Sequence, residues 1–312
     1  MRKGLLTVMC AFACVLAIAC GPGREQGAVQ TEDELIGGKT AGDFGALMNE
    51  AAAAWEQRAD RKQLTTAITA WEKAIDTQSE GLSSEQRRQK VYVAYVSLAR
   101  AYYFLADGHI RFDADDVDDV AEPMMAAHDK GTLNAEKAMA VYSPDFRKAI
   151  LYEKPMGQAI GNLDEGAVDA MYWWSANIGK WALIKGLDEA LSRVDSIKAT
   201  MERVMTLDPD YFYRAPNRYF GSFYTKLPFP TGDLPQSKQN FEAAIAGAPN
   251  YLATRVLYAE LYGIKTNDKA LFEAQLNAVL AAPDGADPAI EAENQIEKRK
   301  AKQLLDTIDD YF

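Results

Sequence analysis

The dipeptides Ala248-Pro249 and Ala282-Pro283 stand 34 residues apart, and each closes a stretch whose apolar residues recur at helical spacing. Proline lacks an amide hydrogen and stops a helix, so the interval marks a unit of about two helices and their turns. Such a chain is built by stacking pairs of helices. One order of residue types recurs ahead of these stops: a small residue, a bulky one four later, and a small one three further. Ala67, Trp71 and Ala74 show it, as do Ser237, Phe241 and Ala244. Looser forms are Ile197, Met201 and Val204 before Pro209, and Gly131, Ala135 and Ala138 before Pro144. A second order, bulky then small then Tyr, occurs at Tyr95, Leu98, Ala99 and Tyr102, and in part at Arg255, Tyr258, Ala259 and Tyr262. Small side chains let helix backbones approach, and the aromatics fill the next groove.

These features predict an all-α chain of the tetratricopeptide-like type, a helical-repeat superhelix with about four degenerate units and irregular insertions. No alternating strand pattern occurs after Asp43. Helices are expected over 44–58, 63–76, 85–106, 133–142, 168–184, 188–206, 238–246, 251–262, 269–281 and 288–311. Ser83 with Gln86 has the spacing of a capping box, and Asp287 before Pro288 that of a cap followed by proline. The last helix, 291–309, is charged on most faces and reads as a solvent-facing cap. Residues 41–312 are expected to form a single helical-repeat domain.

The N-terminus points outside the cytoplasm. Arg2 and Lys3 precede an apolar run ending in Ala17-Ile18-Ala19-Cys20. Small residues before a cysteine resemble a bacterial lipobox, with 1–19 a lipoprotein signal peptide and Cys20 lipidated. The alternative is an ordinary secretory signal with a coincidental cysteine. Residues 20–40, rich in glycine and polar residues, are expected to be a flexible tether. The protein is then periplasmic and anchored to a membrane through lipid.

Two aromatic stretches stand apart from the repeat. In Tyr172-Trp173-Trp174-Ser175-Ala176-Asn177-Ile178-Gly179-Lys180-Trp181, residues Trp173, Asn177 and Trp181 share one helical stripe. The stripe is either a core seam or the wall of a cavity that Asn177 orients. Between Tyr211 and Tyr224 lie seven aromatics, read as a long loop. They either wrap the repeat edge or line a ligand path, with Arg214 or Arg218 available to an anion. The candidate ligand-binding residues are Trp173, Asn177, Trp181, Arg218, Tyr219 and Tyr224.

The segments YWWSANIGKWA at 172–182, MERVMTLDPDYFY at 201–213, NRYFGSFYTKLP at 217–228, FEAAIAGAPNYLATRVLYAE at 241–260 and LFEAQLNAVL at 271–280 resemble the T component of tripartite ATP-independent periplasmic (TRAP) transporters. That family consists of tetratricopeptide-like periplasmic lipoproteins. The resemblance implies an accessory that partners the solute-binding (P) subunit, self-associates as a homo-oligomer and offers an apolar ligand path.

Other classes are disfavoured. A formal net charge of −11 argues against nucleic-acid binding. Two histidines, His109 and His128, and three cysteines leave no zinc site, and no metal or cofactor is expected. The acidic run from Asp113 to Glu122 lacks the glycine and final glutamate of an EF-hand and reads as a solvated insertion. No set of acid, base and nucleophile is apparent, so the chain is not expected to be an enzyme. Two functions remain. One is an accessory of solute uptake that docks the solute-binding subunit and binds or passes on a small apolar or carboxylate ligand. The other is a scaffold for envelope assembly without such a ligand.

Overall fold

The computed structural model describes residues 30–312. The signal peptide, Cys20 and the first part of the tether lie outside the described residues. Residues 30–312 are all-α. The helices are α1 (Glu32–Ile36), α2 (Phe44–Trp55), α3 (Arg61–Asp76), α4 (Ser84–Phe104), α5 (Ala121–Tyr142), α6 (Pro144–Leu151), α7 (Met156–Ala159), α8 (Val168–Lys185), α9 (Leu187–Leu207), α10 (Tyr211–Lys226), α11 (Leu234–Gly247), α12 (Ala253–Leu257), α13 (Lys269–Ala281) and α14 (Glu291–Asp306). Two of them continue into π-helical turns, α4 through Leu105–His109 and α12 through Tyr258–Gly263. The only strand-like pairing among the described residues is a bridge between Thr40 and Thr77.

Chain neighbours pack as pairs: α2 on α3, α4 on α5, α8 on α9, α10 on α11 and α13 on α14. The pairs stack through α3 on α4 and α5 on α8, an order compatible with a tetratricopeptide-like superhelix. The residues that carry the repeat pattern are where close packing requires them. Ala67, Ala74, Ala99, Ala135, Ala138 and Ala244 are each fully buried, as are Ser237, Phe241 and Met201. Apolar burial of this kind stabilises by roughly 25 cal/mol per Å² removed from water. Most of the buried apolar residues form one cluster from Leu35 to Leu227; Leu252, Phe272, Leu276 and Leu304 belong to a smaller one. The capping box forms: Ser83 Oγ accepts from the Gln86 amide at 3.2 Å, and Gln86 accepts from the Ser83 amide at 2.9 Å. Asp287 caps the turn before α14.

Four expectations change. The tether does not reach residue 40: Thr31 and Glu34 form a capping box, α1 buries Leu35, and Tyr95 donates to the Leu35 carbonyl at 3.0 Å. The helix expected over 133–142 begins at Ala121, because Pro123 sits in its first turn, where proline is tolerated. The aromatic loop after Pro209 is helix α10, interrupted near its start by left-handed backbone at Phe212, Tyr213 and Arg214. The final helix is not a solvent-facing cap, since it buries Glu293, Glu297 and Lys300 against the first half of the chain. The acidic insertion is exposed from Asp115 to Asp119, as expected of a hydrated charge block.

Candidate functional site

α8 is buried over most of its length and touches α4, α5 and α9, so its faces look in different directions. The stripe of Trp173, Asn177 and Trp181 divides among them. Asn177 is fully buried and its amide is consumed inside the protein. Nδ2 donates to the carbonyls of Ala99 at 3.0 Å and Trp173 at 2.9 Å, and Oδ1 lies 3.0 Å from His128 Nδ1. It ties α8 to α4 and α5 and lines no cavity. Trp173 packs among Tyr103, Tyr172 and Phe212 and does face cavities. Trp181 lies outside them, beneath the Arg193 guanidinium at 5.1 Å.

The face of α8 that opens onto empty space is rotated by one residue, about 100° of helix. Tyr172, Ala176, Gly179, Lys180 and Leu183 line a cavity of about 130 Å³ between α8, α9 and α10, partly open to solvent. Val194 and Ile197 of α9 and Arg218, Tyr219, Ser222 and Lys226 of α10 complete it. A Cβ on Gly179 would lie in ordinary contact with the Tyr219 hydroxyl at 3.5 Å. The walls are mainly apolar with a few polar groups, the usual constitution of a small-molecule site.

This cavity adjoins others. Tyr103, Tyr172, Lys180, Arg218 and Leu257 are shared with a second, which extends to Tyr251 and Lys300. Tyr103, Trp173, Tyr251 and Lys300 pass to a third, and Arg100, Trp173 and Phe212 to a fourth that ends at Trp55 and Trp71. Four hollows with common walls thus cross the stack from α2–α3 to α9–α10. A separate groove along α2 and α3, bounded by Glu50, Lys62, Thr66 and Lys73, is polar and wide open.

Arg218 is 4 % exposed. Its guanidinium donates to the carbonyls of Tyr213 at 3.0 Å and Phe212 at 3.4 Å and to the Tyr172 hydroxyl at 3.3 Å. It also stacks 4.2 Å over Tyr251. Arg218 therefore holds the left-handed turn of α10 while facing the cavities. Tyr219 lines the main cavity; Tyr224 lines none of the cavities described and stacks on Phe220 at 5.8 Å. Of the six sequence candidates, Trp173, Arg218 and Tyr219 meet the empty space; Asn177, Trp181 and Tyr224 do not.

A buried ion network forms the middle wall. Asp107 accepts from Lys180 at 2.7 Å and Lys300 at 2.5 Å, Glu297 pairs with Lys300 at 2.9 Å, and Glu260 pairs with Arg111 at 2.9 Å. Asp107 and Glu260 sit in the two π-helical turns, a local widening that often marks functional sites. Burial alone would raise the Asp107 carboxyl, but Lys180, Lys300 and Arg111 hold it well below the usual range. Burial raises Glu297. Burial, with nearby Lys180 adding to it, lowers Lys226 to about 8. Sequence reasoning missed Tyr103, Lys180 and Lys226. The signal for Lys226 was its place at i+8 from Arg218, with Ser222 between at i+4; it became legible only once α10 was a helix.

Among the described residues there is no cluster of histidine, cysteine and carboxylates arranged to hold a metal ion, and no helix long and apolar enough to cross a membrane. The profile of a family described as TRAP transporter T-component (TAtT) matches residues 79–312, well over half of the chain. The matched span includes α8 to α14 and so most of the cavity walls; Trp55 and Trp71 precede it. None of the curated proteins compared with the chain matches it.

Proposed function

The chain belongs to the T-component family of TRAP transporters, and from that premise we propose that it is a lipid-anchored periplasmic accessory that docks the solute-binding subunit and holds or passes on a small organic ligand, apolar or carboxylate-bearing. Membership makes it a component of a solute transport system and not a known enzyme. The observation that carries the ligand reading is the row of hollows among the aromatic rings of α4, α8 and α10. Close-packed repeat proteins have few voids larger than water. Cavities with apolar walls and fixed cations suit a guest with both characters. Trp173, Arg218 and Tyr219 are retained as ligand contacts. Asn177 is better explained as a staple between helices, and Trp181 and Tyr224 as packing.

Binding here needs no bond-making. Arg218, which has no carboxylate partner among the described residues, supplies fixed positive charge, the apolar faces of α8 and α9 exclude water, and release occurs when a partner offers a better site. The groove along α2 and α3 would serve a scaffold that grips peptides, but it lacks enclosed volume. The test is affinity purification of the tagged full-length protein from gently solubilised membranes. The solute-binding subunit is expected in stoichiometric yield; its absence under conditions that keep the accessory folded would contradict the assignment.

A further inference from the structure

We propose that the hollow bounded by Trp55, Trp71, Tyr92, Trp173, Tyr211 and Phe212 is a second binding site, which takes a quaternary ammonium group beside Asp169. The proposal is independent of the guest beside α8, and two of the walls, Trp55 and Trp71, precede the span that the family profile matches.

The first ground is the ring content. Six aromatic side chains from α2, α3, α4, α8 and α10 converge on one hollow of about 250 Å³, partly open to solvent. The faces of such rings carry negative potential and attract cations. The protein already uses them so: the Arg100 guanidinium lies 4.9 Å from the Trp55 ring, 4.8 Å from Phe212 and 5.8 Å from Trp173.

The second ground is where charge is left over. Arg100 and Arg58 share Glu293 at 2.8 and 2.7 Å, so the inner end of the hollow already carries its cation. Asp169 is the carboxylate in the lining, and it has no ion-pair partner among the described residues. Its Oδ1 accepts from the Tyr211 hydroxyl at 2.5 Å, while its Oδ2 has no hydrogen-bond partner among the described residues. Tyr92 reaches the same end, its hydroxyl donating to the Gly166 carbonyl at 2.8 Å just ahead of α8. Tyr92 and Arg100 are eight residues apart on α4, about 12 Å of helix rise, so a cation at Asp169 is kept clear of the guanidinium.

Rings and a lone carboxylate also select the class of cation. A primary ammonium brings three hydrogens that each need an acceptor, and one carboxylate oxygen is free. A quaternary ammonium donates none; ring faces and a fixed negative charge satisfy it. Val93 lines the hollow and is 52 % exposed, so the way in is from solvent.

The test is calorimetry of the full-length protein with choline and with 3,3-dimethylbutan-1-ol, which has the same shape without the charge. Choline should bind roughly tenfold more tightly. Asp169→Asn, at an exposed position, should cut that preference several-fold without disturbing the fold. Tyr92→Leu should cut it as well, whereas Tyr92→Phe, which keeps the ring, should retain it. Glycerophosphocholine separates the two sources of such a group: binding tighter than choline assigns the site to a lipid headgroup, and binding no tighter assigns it to a free cation. Equal affinity for choline and the alcohol, a preference untouched by Asp169→Asn and Tyr92→Leu, or no binding of choline would each overturn the site. None of these results bears on the guest beside α8, which uptake of a long-chain alcohol tests separately.

Discussion

Asn177 shows how one polar residue can hold three helices. Its two amide protons go to the carbonyls of Ala99 and Trp173, and His128 completes its oxygen. Gly131 makes room for it: a Cβ there would collide with Asn177 Oδ1. Asn177→Ala would strand buried polar groups, so stability to denaturant should fall by about 2 kcal/mol, with little change in ligand affinity. A loss of affinity without a loss of stability would return Asn177 to the ligand site. His128 offers a pH test. Its Nε2 has no partner, and burial lowers its pKa from 6.5 to about 4. The unfolded chain therefore takes up a proton near pH 6.5 that the folded chain refuses until about pH 4. Stability must fall as pH drops through that window, by about 2 kcal/mol at pH 5. Thermal melts of wild type and His128→Gln between pH 7.5 and 5 measure it; the two curves should converge toward low pH, and parallel curves would refute it. The oddity of Asn177 was legible in the sequence. Its purpose was not, because its partners come from residues 49 and 78 positions away in the chain or from its own preceding turn.

At the scale of elements, α10 was the hardest to read. Its density of aromatics and Pro216 resemble a loop, yet Tyr219, Phe220, Phe223, Tyr224 and Leu227 recur at helical spacing and Pro216 stands near the start of the regular segment, where proline is tolerated. The break ahead of it is three consecutive left-handed residues: Phe212 at φ 40°, Tyr213 at 59° and Arg214 at 58°. Such backbone costs on the order of 1 kcal/mol or more for each non-glycine residue. Arg218 and the stacking of Tyr213 on Tyr251 at 5.2 Å hold it in place. Arg214 is the least committed of the three, with a surface ion pair to Asp210. Arg214→Gly should raise stability by about 0.5–1 kcal/mol, whereas Arg214→Val should lower it; a destabilised glycine variant in a urea titration would show that the turn is not strained. The small-residue positions of α3, α4 and α11 were readable in advance because a 34-residue period repeats one packing rule. The π-helical turns carrying Asp107 and Glu260 left no local mark of that kind.

The whole molecule is closed by charge as well as by apolar packing. Arg58, just after α2, meets Glu293 of α14 at 2.7 Å and Arg100 meets it at 2.8 Å, while Asp107 reaches Lys300 of α14. A helix that looks like a polar cap in sequence is thus drawn inward, since a charge pattern alone does not reveal a partner more than 190 residues away. Asp107→Asn would leave Lys180 with no carboxylate and Lys300 with one, and should cost about 3 kcal/mol in a denaturant titration; an unchanged midpoint would mean that the network is hydrated and weak. The central claim is that the stacked helices enclose a guest beside α8. Native mass spectrometry of the full-length protein incubated with dodecan-1-ol, an apolar probe, addresses it most directly. One bound molecule per wild-type chain, and none on Ala176→Trp, whose indole would fill the cavity, is the predicted result. Equal uptake by the two proteins, or none by wild type, would contradict it.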